Sequence, residues 1–148
     1  MSEIVQAVVF SGTEGRLSFE LFGYERPNAS DEYDANWLNT RVFIEVGAFS
    51  GRFRASLTTY DFERLYAQLR EAVERLSGRI EFESAEGDVS FSVEFSARGH
   101  AIVSGVLKPE GSEKDALTFK LETDQSSLSE TVQQLGVVVR KLPVRGMT

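Results

Sequence analysis

The sequence predicts an α+β fold, in which a curved antiparallel sheet or sandwich of about eight strands is covered by two amphipathic helices. Two observations predict this class. Apolar and polar residues alternate with a period of two through most of the chain, which is typical of antiparallel strands with one solvated face. Two further segments repeat their apolar residues every three or four positions, as amphipathic helices do. The resulting element order is ββββαββββα.

The first half of the chain carries four predicted strands. An irregular apolar run at residues 4–10 is the first, and the second places Leu17, Phe19 and Leu21 on one face. Gly47 separates the third strand from the fourth, because it interrupts the alternation. The apolar faces of these two strands comprise Leu38, Thr40, Val42, Ile44 and Val46, then Phe49, Phe53, Ala55 and Leu57.

The second half of the chain carries four more predicted strands. Irregular apolar runs at residues 80–83 and 102–107 are the fifth and the seventh. The sixth and eighth alternate regularly, through Val89, Phe91, Val93 and Phe95, and through Leu117, Phe119 and Leu121. Glycine between these runs predicts hairpin turns at Gly87-Asp88, Arg98-Gly99 and Gly111-Ser112.

The first predicted helix lies between Thr59 and Gly78. We expect Thr59 to cap its start, Asp61 to suit the positive end of the helix dipole, and Gly78 to end it. Its apolar stripe comprises Phe62, Leu65, Leu69, Ala72, Val73 and Leu76.

The second predicted helix covers residues 128–142, approximately. Ser127 and Glu130 have the spacing of a capping box at its start. Arg140 and Lys141 fall in its last turn, where the dipole favours cations, and Pro143 stops it. Its apolar stripe comprises Leu128, Val132, Leu135, Val139 and Leu142.

The length of 148 residues predicts one domain over residues 1–148. The junction at Ser77-Gly78 is too short for a linker between domains. Because each half has the order ββββα, residues 1–78 and 79–148 are candidates for two weakly similar repeats, although they share no convincing residue-level match.

Acidic residues exceed basic ones by 23 to 16, which gives a net charge of −7. A negative surface repels nucleic-acid backbones and anionic lipid, so we expect neither as a partner. Basic residues are dispersed along the sequence, apart from Arg52/Arg54 and the cluster Arg140/Lys141/Arg145. A basic protein partner would instead be attracted to this chain.

The chain contains no cysteine and a single histidine, which excludes disulfides, thiolate metal sites and a His-rich metal centre. The first twelve residues lack the pattern of a signal peptide, and no stretch has the apolar length of a membrane span. We therefore expect a cytoplasmic protein.

Catalytic chemistry finds little support in the sequence. His100 follows a predicted turn and has no evident nucleophile beside it, so we interpret it as an exposed or sheet-edge histidine. Glu81 and Glu83 share one strand face and could act as paired carboxylates, but the solvated face of a strand has the same pattern. We therefore predict no catalytic residue, no cofactor and no enzyme activity.

The acidic segment Asp31, Glu32, Asp34 and Asn36 suggests calcium, but it lacks the glycine and glutamate of an EF-hand loop. Short side chains that accept hydrogen bonds from nearby backbone explain it better, so no metal is predicted. Trp37 follows this segment, and we expect it to close the end of the core rather than to anchor a partner.

Two segments resemble a known family. The first runs from Phe22-Gly23-Tyr24-Glu25-Arg26-Pro27 to Tyr33-Asp34-Ala35-Asn36-Trp37-Leu38, and the second from Asp124-Gln125-Ser126-Ser127-Leu128 to Leu142-Pro143-Val144. Together they resemble the WapI-type bacterial immunity proteins, in which a strand with Tyr-x-x-Pro leads to Tyr-Asp-x-Asn-Trp-Leu. The resemblance implies a cytoplasmic protein that binds and silences a toxin delivered by a neighbouring cell, in that system a nuclease. It implies no catalytic residue, and Asp34, Asn36 and Trp37 would serve folding.

We therefore expect a non-enzymatic inhibitor whose acidic surface docks on the basic groove of a toxin nuclease. The candidate contacts are Asp31, Glu32, Asp34, Glu81, Glu83, Glu86 and Asp88. An alternative is a small-molecule-binding or enzymatic β-domain, with some of the eleven phenylalanines lining a cavity. A homodimer joined through an edge strand is compatible with either function.

Overall fold

The computed structural model describes residues 3–111 and 114–146 and contains two four-stranded antiparallel sheets. Sheet A pairs its strands in chain order, and so does sheet B. The strands of sheet A are β1 (Gln6–Ser11), β2 (Gly15–Tyr24), β3 (Trp37–Val46) and β4 (Phe49–Thr58). Those of sheet B are β5 (Arg79–Glu83), β6 (Val89–Phe95), β7 (His100–Leu107) and β8 (Leu117–Asp124). The predicted α+β class is thus confirmed, with four strands in each half of the chain as expected.

Three α-helices accompany the sheets in the described ranges: α1 (Glu32–Ala35), α2 (Thr59–Arg75) and α3 (Gln125–Lys141). The short α1 was not predicted, because four residues are too few to show a helical period. Apart from α1, the two halves have the same order of four strands and one helix. Their origin as repeats stays a prediction, as does the single domain.

The cap of α2 differs from the prediction by one residue. Thr58 is the N-cap, and its side chain accepts a hydrogen bond from the backbone of Asp61, whose carboxylate accepts one from the backbone of Thr58 in return. The predicted cap Thr59 is therefore wrong, because Thr59 is already helical. The helix ends at Arg75, and Leu76 adopts a left-handed φ of 54° before Gly78 is reached.

The capping box predicted for α3 is also wrong. Asp124, the last residue of β8, is the N-cap, and its carboxylate accepts a hydrogen bond of 2.9 Å from the backbone of Ser127. Ser127 therefore lies in the first turn, and the helix begins at Gln125 rather than near Leu128. The strand passes directly into the helix, so no loop sequence marks this boundary.

The core is formed by the inward faces of both sheets and by the stripes of α2 and α3. Phe10 of β1 and Phe91 of β6 meet edge to face at 5.2 Å, and Phe19 contacts Phe62 of α2 in the same way at 6.3 Å. These rings fill the space between the sheets with side chains. The inward phenylalanines therefore serve packing and leave little room for a ligand between the sheets.

Two of the three hairpin turns predicted from glycine are confirmed. Gly87 has a φ of +77° and closes the β5–β6 turn through a 2.9 Å hydrogen bond to the carbonyl of Ser84. Arg98 and Gly99 form a single 3₁₀ turn between β6 and β7. The third predicted turn, Gly111-Ser112, lies partly outside the described residues.

Helix α3 covers the outer edge of β1. Thr131 Oγ1 donates a hydrogen bond of 2.6 Å to the carbonyl of Val9. The backbone amide of Val9 donates one of 2.7 Å to Oε1 of Gln134.

Helix α2 packs against α3 and β5. Its start lies near the start of β3 and the end of β5, because Thr58 pairs with Trp37 and Arg64 donates to the carbonyl of Glu83. This arrangement brings the two acidic segments of the sequence together.

Candidate partner-binding surface

The first acidic segment uses two of its carboxylates locally. Asp31 caps α1, because its Oδ2 accepts a hydrogen bond of 3.3 Å from the backbone of Asp34. Asp34 forms an exposed ion pair of 3.1 Å with Arg26. Glu32 differs from both, because it lies on the exposed side of α1 and accepts a hydrogen bond from the hydroxyl of Tyr60. Among the described residues no group of three or more His, Cys, Asp or Glu could hold a metal ion.

Asn36 anchors this segment to the rest of the fold, and its side chain is only 2% exposed. Its Nδ2 donates to the carbonyls of Glu32 at 2.7 Å and Arg145 at 2.8 Å. Its Oδ1 accepts from the amide of Arg145 at 2.8 Å and from the hydroxyl of Thr59 at 2.9 Å. All donors and acceptors of the buried amide are thus paired.

Arg145 completes this anchor from the other end of the chain. Its guanidinium lies 3.6 Å from the ring centroid of Tyr24, whose hydroxyl donates a 2.6 Å hydrogen bond to the carbonyl of Pro143. Burial raises the pKa of the Tyr24 hydroxyl, and the charge of Arg145 partly opposes this. The guanidinium also donates to the carbonyls of Arg26, Pro27 and Ala35. We call Tyr24, Asn36 and Arg145 the terminal clasp.

The second acidic segment, on β5 and the following turn, presents three exposed carboxylates and one buried one. Glu81, Glu83 and Glu86 are exposed, and Glu81 pairs with Arg79 at 3.3 Å. Asp88 is only 4% exposed and accepts a 2.8 Å hydrogen bond from the hydroxyl of Ser84. That carboxylate holds the turn and is buried, so the exposed surface of this segment consists of the three glutamates.

The start of α2 connects the two segments. The buried carboxylate of Asp61, 2% exposed, accepts hydrogen bonds from the amides of Thr58 at 2.9 Å and Ala85 at 3.3 Å. Arg64 bridges the same two elements, because it donates to Asp61 at 3.1 Å and to the carbonyl of Glu83 at 3.1 Å. The β5–β6 turn is thereby held against the helix.

On the other side of the same helix start, Thr59 holds the first segment. Its amide donates a 2.9 Å hydrogen bond to the carbonyl of Asn36, and its hydroxyl bonds the Asn36 side chain. Glu32 and Glu83, far apart in sequence, therefore line one surface cleft of about 640 Å³.

Three aromatic side chains line this cleft together with the two glutamates. Tyr33 is 73% exposed, and its ring meets that of Trp37 edge to face at 6.1 Å. Tyr60 lies across the cleft beside Glu32. We call these five residues, Glu32, Tyr33, Trp37, Tyr60 and Glu83, the aromatic–acidic patch. Aromatic side chains are enriched at protein contact surfaces and often contribute most of the binding energy there.

Trp37 lies at the rim of the cleft, half-buried, rather than closing the core as expected. Its indole N–H has no hydrogen-bond partner among the described residues. Tyr60 was not predicted as a site residue. The sequence does indicate that its ring faces solvent, because Tyr60 lies outside the apolar stripe of α2.

The charge around Tyr60 affects its ionisation. Its hydrogen bond to Glu32 raises the pKa of the hydroxyl, with smaller contributions from desolvation and from the negative charges of Glu32 and Glu63. Tyr60 is therefore a neutral donor at physiological pH, and its bond to Glu32 holds both side chains at the cleft.

Four arginines from three strands lie on the outer face of sheet A. This face carries Arg16, Arg41, Arg52 and Arg54. Arg41 lies over the ring of Phe22 and Arg52 over that of Phe43. The aromatic–acidic patch is thus distinct from a more basic face, and the net charge of the chain is unevenly distributed.

Comparison with known proteins identifies the family. The model of the Immunity protein WapI-like family matches residues 9–143, so this chain belongs to that family. Membership implies in general that the chain binds a cognate toxin. No curated protein matches the chain. A solved structure titled "Crystal structures of trypanosoma bruciei MRP1/MRP2" is similar to it, with 10% identity, 93% of this chain and 84% of that chain covered, and a TM-score of 0.49.

The motif residues of the family resemblance belong to the terminal clasp and its surroundings. Tyr24, Pro27 and Asn36 all form hydrogen bonds with the segment after α3.

No helix among the described residues has the length and apolar character needed to cross a membrane.

Proposed function

We propose that this chain neutralises a toxin by binding it through the aromatic–acidic patch. The observation that supports the proposal is the convergence of Glu32 and Glu83 on one cleft lined by exposed rings, in a member of an immunity-protein family. Rings supply buried contact area, and carboxylates steer a basic partner towards it. Glu81 and Glu86 would extend this surface, with Asp31 and Asp34 at its margin.

A nuclease is the toxin class that this surface suits best. A nuclease carries a basic groove for the phosphates of its substrate, and an acidic protein can occupy such a groove. The net charge of −7 would speed the encounter, most strongly at low ionic strength. On this proposal the chain acts in the cytoplasm and binds neither nucleic acid nor membrane.

We further propose that the chain performs no catalysis itself. His100 is exposed at the start of β7, and its neighbour in the sheet register is Asp124, which already caps α3. Glu81 is paired with Arg79 on an exposed strand face. The alternative of a small-molecule site between the sheets has less support, because aromatic contacts fill that space.

The direct test uses a candidate toxin domain from the neighbouring open reading frame. Isothermal titration calorimetry should detect a complex with a defined molar ratio of the two proteins. The same molar ratio should abolish toxin activity in a substrate-cleavage assay. Serum albumin, an unrelated acidic protein, is the control for net charge and should not inhibit the toxin. Absence of binding at low salt, where attraction is greatest, would contradict the proposal. Light scattering tests the separate prediction of a homodimer.

A further inference from the structure

We propose that the cleft of the aromatic–acidic patch receives an arginine side chain of the partner. This inference rests on the proposed function and specifies how the patch recognises a basic protein. The rings of Tyr33, Trp37 and Tyr60 line the cleft beside two carboxylates. A guanidinium stacks on aromatic faces and donates paired hydrogen bonds to carboxylates, so it matches both kinds of group.

The charge balance of the cleft leaves room for a cation. Its lining contains three carboxylates and the guanidinium of Arg64. Arg64 is already paired with Asp61 at 3.1 Å, so these two charges offset each other. Among the described residues, the carboxylates of Glu32 and Glu83 form no ion pair with Lys, Arg or His, and Arg64 donates only to the backbone carbonyl of Glu83. The side-chain donor to Glu32 in the described ranges is the neutral hydroxyl of Tyr60.

An apolar or neutral occupant fits these groups less well. It would take Glu32 and Glu83 out of water without a partner for their charge, which is costly. A lysine would supply the charge, but its compact and strongly hydrated ammonium matches flat rings less well than a guanidinium does. The indole N–H of Trp37, which is unpaired within the described part of the chain, can donate to a carbonyl of the same partner segment.

The first test needs no toxin, because Trp37 is the one tryptophan of the sequence and reports directly on the cleft. The probe is N-acetyl-arginine amide, and the control is the matching citrulline compound, which has nearly the same shape without the charge. We expect the arginine probe to shift the Trp37 indole resonance and its fluorescence, with saturation in the millimolar range. No shift, or an equal shift with citrulline, would overturn the proposal.

Substitutions at Tyr33 separate stacking from simple apolar contact. Tyr33→Phe keeps the aromatic face and should retain the response, whereas Tyr33→Leu should weaken probe binding on the order of tenfold. Phe49→Leu is the matched control, because Phe49 is also an exposed ring, 70% exposed. It lies at the start of β4, whereas Thr58 at the end of the same strand lines the cleft. A loss of binding in the Phe49 variant equal to that in Tyr33→Leu would contradict a site at this cleft.

The lysine counterpart of the probe tests the choice of cation. We expect it to bind several-fold more weakly than the arginine probe, and equal affinity would overturn the assignment to arginine. The toxin titration remains an independent result. A toxin that binds while the arginine probe does not would refute this inference alone, and a probe that binds while the toxin does not would refute the proposed function.

Discussion

Asn36 and Arg145, which are 109 residues apart in the sequence, exchange two hydrogen bonds of 2.8 Å. The Asn36 amide accepts from the Arg145 backbone N–H and donates to the Arg145 carbonyl, as a neighbouring strand would. This pairing attaches the segment after α3 to the turn that carries Glu32 and Tyr33. The position of the aromatic–acidic patch therefore depends on residues from both ends of the fold.

Asn36→Ala should lower the free energy of unfolding by about 2–4 kcal/mol. The substitution removes four side-chain hydrogen bonds, and the carbonyl of Glu32 and the backbone of Arg145 lose their partner. Urea denaturation followed by circular dichroism measures the change. Asn28→Ala, at an exposed loop position, is the control and should change stability by less than about 0.5 kcal/mol. Equal stability of the two variants would show that the pairing is dispensable.

Arg145→Lys should lower stability by about 1–2 kcal/mol. A lysine keeps the charge but cannot donate to three carbonyl groups from one planar group while stacking on Tyr24. Thermal unfolding measures the effect. The same exchange at Arg140, an exposed residue in the last turn of α3, should be nearly neutral. A neutral result at Arg145 would mean that charge alone secures this segment.

Asp61→Ala should destabilise the fold by about 2 kcal/mol or more, because it removes the capping-box partner of Thr58 and leaves the amide of Ala85 without this hydrogen bond. It should also raise hydrogen exchange in the β5–β6 turn, which this carboxylate holds. Glu63→Ala, two residues away and exposed, is the control for a change of charge at the helix start. Unchanged exchange in the turn would contradict the bridging role of Asp61.

The double variant Glu83→Gln and Glu86→Gln should slow association with the toxin about tenfold at low salt, and less at high salt. The control changes the same charge at Glu14 and Glu45. Glu45 lies eight residues along β3 from Trp37, about 26 Å away. Stopped-flow kinetics measures both on-rates. Equal slowing in the two double variants would place the effect in the net charge rather than in the patch.

Stability should fall as pH rises above the ordinary tyrosine pKa of 10.0. The pKa of Tyr60 is raised in the folded chain, so the unfolded chain loses this proton first, and the stabilising effect is lost as pH rises through the folded pKa. Tyr24 contributes in the same direction. Urea unfolding from about pH 9 to 11 measures the slope. Tyr60→Phe should show a shallower decline, and an identical slope would contradict the Tyr60–Glu32 bond.

The strand pattern was readable because burial in a sheet has a period of two. Leu38, Val42 and Ile44 are buried on one face of β3 as predicted. Ala55 and Leu57 of β4, which are buried too, pair with residues on this face. Helix starts were less readable. Thr58 and Asp124 each end a strand and cap a helix, so local periodicity placed the boundary at Thr59 and Ser127 instead.

The candidate site was predictable only in part. Sequence indicated two acidic segments, but their meeting depends on Asp61 and Thr59, whose hydrogen bonds join residues distant in the chain. Burial of Asp88 could not be foreseen either, because Ser84 supplies its hydrogen bond only once the turn has closed. Long-range contacts of this kind leave no periodic trace in a single sequence.

The contact of α3 with the edge of β1 bears on how the protein forms during synthesis. Val9 leaves the ribosome long before Thr131 and Gln134, so its amide and carbonyl stay open to other strands while most of the polypeptide is translated. A nascent chain halted before α3 would expose that strand to aggregation or to chaperones. Completion of the last helix therefore protects the first strand.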